Sequence, residues 1–266
     1  HNSTNMYDMS GHSEYMPKPE GWVPPAPQPA PDPEPAPAPG PEPTPDKETA
    51  PTAAGFEDNT PAERMVTLCS NVLSWLFVPL MMPVYGIILI FSLSILSLTS
   101  FHTKLFFTSV VFGANFVLPM LMVILMKKLG MIDDIGLNGR RERLIPYLIT
   151  IVCMAGTGWF LHFKGAPTWV AMFFVGGALA AFINMLVNFR WKISAHAAGI
   201  AGIVAMLIQI TKEGFPAPGM TLWIVSAILL AGLLGSARVW LGRHTLMQVL
   251  AGTAVGFLCV WSLSLL

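Results

Sequence analysis

Residues 105–126 read LFFTSVVFGANFVLPMLMVILM, an uncharged and almost wholly apolar run closed by Lys127 and Lys128. A helix needs about 17–25 mostly apolar residues to cross the hydrocarbon core of a bilayer, and this run has that length. It reads as a transmembrane helix, and similar runs lie on both sides of it. Segments at 67–98, 144–163, 168–188, 195–210, 220–237 and 246–266 complete a set of about seven spans. The first is long and interrupted by Pro79 and Pro83, which predicts a kink or an interfacial first portion. The span at 195–210 is short. Gly176, Gly177, Ala178, Ala180 and Ala181 on one span, and Ala251, Gly252, Ala254 and Gly256 on the last, permit close helix contact.

Composition agrees with this reading. The 266 residues are 53% hydrophobic and 11% charged, with a mean hydropathy of +0.59. Soluble domains carry roughly 25% charged residues, so a soluble surface cannot be built from this chain. The expected fold class is all-α, a polytopic membrane helix bundle. Cys69, Cys153 and Cys259 sit in apolar runs without metal or disulfide spacing and read as small buried hydrophobes.

The zero net charge hides an asymmetry. Residues 1–63 hold Lys18 and Lys47 against eleven acids, and residues 64–266 hold thirteen Lys and Arg against Asp133, Asp134, Glu142 and Glu213. Sixteen prolines fall between residues 17 and 61, many alternating with Ala or Glu. Such a segment favours polyproline II and builds no core, so 1–63 is expected to be a disordered acidic tail ahead of a membrane domain at 64–266. It is a solvated spacer or a docking arm for a membrane-complex partner, with Met6, Tyr7, Tyr15 and Met16 near its tip. No apolar h-region of a signal peptide is expected in the first sixty residues.

Counting sides through seven spans sorts the cations. One side, called side A, collects Arg64, Lys127, Lys128, Arg140, Arg141, Arg143, Arg190, Lys192, Arg238 and Arg243, whereas side B holds Lys104, Lys164 and Lys212. The positive-inside rule makes side A cytoplasmic, together with the tail. Three clusters face side A: residues 139–147, 191–196 and 235–244. His196 and His244 sit in the last two. Cations and histidines gathered at a membrane surface suit a phosphate. Guanidinium groups hold its oxygens, a helix N-terminus at Ser194–His196 favours the anion, one imidazole attacks phosphorus and another protonates the leaving alcohol. The plainer reading is that these cations snorkel to headgroups and set topology.

The residues of these clusters resemble the type 2 phosphatidic acid phosphatase (PAP2) superfamily, membrane enzymes acting on lipid phosphates and polyprenyl diphosphates. That family carries Lys-x6-Arg-Pro, Pro-Ser-Gly-His and Ser-Arg-x5-His-x3-Asp. Ser194 and His196 match the second motif, with Ile193 and Ala195 at its Pro and Gly. Arg238 and His244 match the third in spacing, with Ala237 for its Ser and Gln248 for its Asp. Leu241-Gly242 and Leu250-Ala251-Gly252 also resemble the family, and the likeness covers about residues 80–266. The first motif is altered: aligning Pro146 puts Ile145 and Asn138 where Arg and Lys belong, with Arg141 and Arg143 as shifted substitutes.

The resemblance implies a PAP2-like core and a phosphohistidine on His244, with His196 as the leaving-group acid. It implies phosphate contacts from Arg238, Ser194, Lys192, Arg141 and Arg143, an orienting role for Gln248, and neither metal nor cofactor. A bacterial inner-membrane location is expected, with membrane lipids or lipid phosphates, not nucleic acid, as partners. Glutamine can fix an imidazole tautomer but supplies no charge, and loss of the acid in an analogous triad costs about 10⁴ in rate. Two further readings stay open. One is a non-catalytic scaffold or lipid-binding subunit of a membrane complex, docked through the tail or through small-residue helix faces. The other is a transporter, which the absence of charge within the expected spans disfavours.

Overall fold

Apolar runs of this length must satisfy their backbone polar groups within the chain, and helices do so locally. The structure, a computed structural model, describes Gly21 and residues 60–131, 144–213 and 216–263. The rest of the tail, the segment 132–143 with Arg140, Arg141 and Arg143, and residues 214–215 and 264–266 lie outside the described residues.

Among the described residues the chain is all helical. It runs through α1 (Pro61–Leu76), α2 (Met82–Leu93), α3 (Phe101–Phe112), α4 (Leu118–Lys128), α5 (Leu144–Phe163), α6 (Thr168–Asn188), α7 (Ala195–Glu213), α8 (Met220–Trp240) and α9 (Leu246–Leu263). Six helices are long and apolar enough to cross a membrane, counting α3 and α4 as one, and the bent pair of α1 and α2 makes seven if it is one broken span rather than a re-entrant loop. The protein is a polytopic helical bundle of membrane type. Expected and observed boundaries coincide for α5 and α6. Three differences stand out, the first two with local physical causes. α3 and α4 are joined by a π-helical turn at Gly113–Val117, in which Leu118 N–H reaches the Gly113 carbonyl ahead of Pro119, whose ring nitrogen cannot donate. α7 runs on to Glu213 because Gln209 Nε2 donates to Glu213 Oε1 at 2.7 Å and Lys212 Nζ lies 4.0 Å from the Trp261 ring centroid. α8 continues to Trp240, past the expected end at 237.

The break expected near Pro79 is real, and it separates two helices bent by 42°. Thr60 caps α1 in a reciprocal box with Glu63, and Pro61 occupies the first helical position. α1 buries Ser70 and Ser74 while Met65, Leu68, Val72 and Trp75 face outward. That inverted pattern is stable only where the surroundings are apolar. It also corrects the reading of Cys69, which is exposed on this outer side; Cys153 is half-buried and Cys259 buried. α1 packs mainly on α8, where Trp240 Nε1 donates to Thr67 Oγ1 at 3.1 Å.

The core centres on α6, α7 and α9. α7 is the most enclosed span, and its small residues Ala197, Ala198, Ala201 and Ala205 are all buried. α9 lies against it so closely that a Cβ on Gly256 would collide with the Ala198 carbonyl and one on Gly252 with the Ser194 carbonyl. Gly176 of α6 meets the backbone of α9 as well, since its Cβ would lie 2.8 Å from Val260 Cα. These three glycines are therefore spent on contacts inside the bundle.

Candidate functional site

The site is assembled from one helix C-terminus and two helix N-termini. α8 ends in a Schellman motif: Gly242 takes φ +63°, Arg243 N–H donates to the Arg238 carbonyl at 3.1 Å, and Gly242 N–H donates to the Val239 carbonyl at 2.9 Å. A residue with a Cβ adopts that φ only at a cost. The turn brings His244 back under the helix, where its own N–H lies 3.3 Å from the same Arg238 carbonyl. The Arg-x5-His spacing thus corresponds to a closed backbone turn that holds the two residues together.

Thr245 then opens α9. Thr245 N–H donates to Gln248 Oε1 at 3.2 Å and Gln248 N–H to Thr245 Oγ1 at 3.4 Å, a capping box of the Thr-x-x-Gln type. His244 Nδ1 lies 3.2 Å from that same Gln248 oxygen. Because Thr245 N–H can only donate, the Gln248 atom it meets must be the carbonyl oxygen, so His244 Nδ1 must carry the proton. In the neutral ring the lone pair then sits on Nε2, the tautomer needed for attack on phosphorus through that nitrogen. His244 and Gln248 are both buried.

Ser194 caps α7: its Oγ accepts from Ala197 N–H at 3.3 Å. Its own N–H donates to the Gln248 main-chain carbonyl at 3.2 Å, which stitches the start of α7 to the start of α9. Two helix N-termini therefore end side by side, each with a positive dipole end. Ser194 is fully buried, so its hydroxyl holds the first turn of α7. Lys192 is half-buried and Arg243 exposed at this same end, and the Arg238 side chain is half-buried.

His196 is held differently. Its Nε2 lies 3.1 Å from the Ser74 carbonyl, an acceptor, so that nitrogen donates. Ser74 lies in the last turn of α1, whose final carbonyls have no helical partner; Tyr85 Oη satisfies Leu76 O in the same way at 2.8 Å. His196 therefore ties α1 to α7, and Nδ1 is the ring nitrogen its tautomer leaves with the lone pair.

The structure brings His244, Gln248, Ser194 and the Arg238 backbone into one hydrogen-bonded group, with His196 two residues from Ser194. Arg141 and Arg143 lie outside the described residues. Among the described residues no cluster of His, Cys, Asp or Glu could hold a metal ion. Thr245, which shares Gln248 with His244, was missed from sequence, although Thr-x-x-Gln before an apolar run is a capping-box signature. Ser74 and Thr67 were missed too, and nothing in a serine- and threonine-bearing apolar helix marks which hydroxyl or carbonyl meets a site.

No family model matches the chain, and neither a curated protein nor a solved structure matches it.

Proposed function

We propose that this membrane protein is a divergent PAP2-like lipid phosphatase, working on a lipid monophosphate or polyprenyl diphosphate at the side A surface. The observation that carries the reading is the His244–Gln248–Thr245 arrangement. An amide oxygen pinned by a backbone N–H holds the imidazole in the tautomer whose Nε2 can act as nucleophile. His244 Nε2 attacks phosphorus and the phosphorus–oxygen bond to the leaving lipid alcohol or polyprenyl phosphate breaks, while His196, protonated on both ring nitrogens with Nε2–H on the Ser74 carbonyl, gives that oxygen its Nδ1 proton. Water then cleaves the phosphorus–nitrogen bond, passing a proton back to His196 Nδ1, which releases phosphate and regenerates the His244 ring. Arg238, Lys192, Arg141 and Arg143 hold the phosphate oxygens, and Ser194 positions the two helix N-termini beneath them. The chain lies in a bacterial inner membrane with its tail on the cytoplasmic side.

Two observations favour a second reading, a non-catalytic lipid-phosphate-binding subunit of a membrane complex. Gln248 gives no charge to the imidazolium, and the Nε2 proton of His196 is taken by the Ser74 carbonyl. Phosphate release by the purified full-length chain, measured over a small panel of lipid phosphates, separates the two. The enzymatic reading requires release from at least one of them and a fall of about 10³ or more in His244→Ala. Release unchanged in that variant, or absent across the panel while lipid phosphates still bind, overturns it in favour of the second reading.

A further inference from the structure

Beside the site, α8 and α9 part from one another and leave a groove of about 930 Å³ that opens sideways out of the bundle. Ala201 and Val204 of α7 form its floor. Gly232 and Ala231 of α8 and Ala254 of α9 form walls of small side chains, while Ile228, Leu250 and Leu258 stand exposed along the open edge.

Of the residues that line the groove, only Ser236, Thr253 and Trp240 carry a polar side-chain atom. Thr253 Oγ1 donates to the Val249 carbonyl at 3.0 Å, and the Trp240 N–H is given to Thr67. Ser236 lies at the end of the groove nearest the site, two residues before Arg238. The body of the groove therefore offers a ligand no polar partner, and an occupant must be apolar there.

The dimensions narrow the occupant further. Leu246 and Leu258 mark the two ends along α9, twelve residues apart, or about 18 Å at 1.5 Å per residue. That is close to one leaflet of a hydrocarbon core about 30 Å thick. An extended hydrocarbon chain suits a groove of this length whose body is lined by apolar side chains. One end of the groove is Val239, Trp240 and Leu246, which flank Arg238, Arg243 and His244 in the chain. The ligand that fits has an anionic end at the cations and a long apolar body lying one leaflet deep.

We propose that the α8–α9 groove is the hydrocarbon-chain subsite for the phosphate-bearing lipid, and that Gly232 and Ala254 set how long a chain it accepts. This inference rests on reading the polar end as a phosphate site, but it concerns binding and not turnover. Gly232 is the informative position. A Cβ there meets nothing within 4 Å, so a larger side chain enters the groove without disturbing the fold. It also lies six residues from Arg238, about 9 Å along the helix, so only chains longer than that reach it.

The test uses the purified full-length protein and a long-chain alkyl phosphate carrying a diazirine at mid-chain. After photolysis the labelled residues are mapped by mass spectrometry. The expected label falls on α8 and α9 around Gly232, Thr253 and Phe257, and unlabelled long-chain alkyl phosphate competes it away. Gly232→Leu and Ala254→Phe each lower labelling about tenfold, and the loss shrinks for a chain too short to reach Gly232. Leu222→Phe, on the exposed part of α8 outside the groove, leaves labelling unchanged. Label elsewhere in the protein, or labelling undiminished in both groove variants, overturns the proposal. So does equal labelling by the corresponding alcohol, which lacks the anionic end, or a second protein chain cross-linked in the groove. Groove labelling without phosphate release from any substrate would defeat the enzymatic reading and leave this inference standing.

Discussion

α9 has two apolar sides that pack in opposite ways. Towards α7 it is sealed: Gly252 and Gly256 lie against the Ser194 and Ala198 carbonyls with no room for a methyl group. Towards α8 it is open, and apart from the contact of Gly235 with Val249 the two helices leave a groove between them. Both sides are built from small and aliphatic residues, and composition does not tell them apart. A small side chain in a membrane helix can admit another backbone or leave space for a ligand. Which of these occurs depends on whether the facing helix also brings its backbone close. On the sealed side it does, because the Ser194–Gln248 hydrogen bond clamps the two helix starts together.

The sharpest way to break this comparison is to put the same side chain on each side. In Gly256→Leu the new atoms meet the α7 backbone, which cannot move without opening the seam. The variant should lose about 3 kcal/mol or more of stability and much of its folded yield in detergent. In Gly232→Leu they enter the groove, and stability should stay within about 0.5 kcal/mol of the parent. Thermal unfolding of the two variants in the same detergent measures both. Equal losses would mean that the open side is packed as tightly as the sealed one.

The seam also carries the site, so the next largest effects are expected where it begins. Gln248→Ala removes the capping box and the acceptor for His244 Nδ1 together. On the proposed phosphatase reading, the rate of phosphate release should fall about 10–100-fold, as expected when the group orienting a reacting imidazole is lost. Gln248→Glu keeps an acceptor for both bonds and adds a negative charge beside the ring. If imidazolium forms in the reaction, kcat should rise at least about tenfold, a fraction of the 10⁴ that the charged partner is worth in an analogous triad. KM should change little. A fall in kcat for Gln248→Glu would show that the His244 ring does not act as the nucleophile.

How much of this was legible in the sequence differs from place to place for physical reasons. α5 and α6 could be bounded to the residue because apolar runs of spanning length end at Lys164-Gly165-Ala166-Pro167 and Asn188-Phe189-Arg190. The break after α1 could be placed through Pro79 and Pro83. That α1 is a separate helix with Ser70 and Ser74 turned inward could not, because its outer side is as apolar as the span that follows. His196 and His244 could be nominated from their cationic clusters, and Ser194, Arg238 and Gln248 through the resemblance to the PAP2 motifs, since the closed turn at Gly242 and the two caps are local. The use of His196 on the Ser74 carbonyl, 122 residues away in sequence, depends on tertiary packing, and so does the groove.

The smallest expected effect lies at the mouth of the groove, where the open side meets α1. Trp240 lines the groove and gives its N–H to Thr67, so one side chain faces the groove and anchors α1. Trp240→Phe keeps an aromatic ring of similar reach and removes only the donor. A half-exposed hydrogen bond of this kind contributes about 0.5–1.5 kcal/mol, and its loss leaves a threonine hydroxyl that other groups can satisfy, so the change should fall at the lower end. Hydrogen exchange should locate the effect. Amides of α1 around Thr67 should exchange faster, while those of α7 and α9 along the sealed seam should not change. Faster exchange throughout the seam would mean that α1 supports the α7–α9 contact through His196 and Ser74, and the two sides of α9 would then be coupled rather than independent.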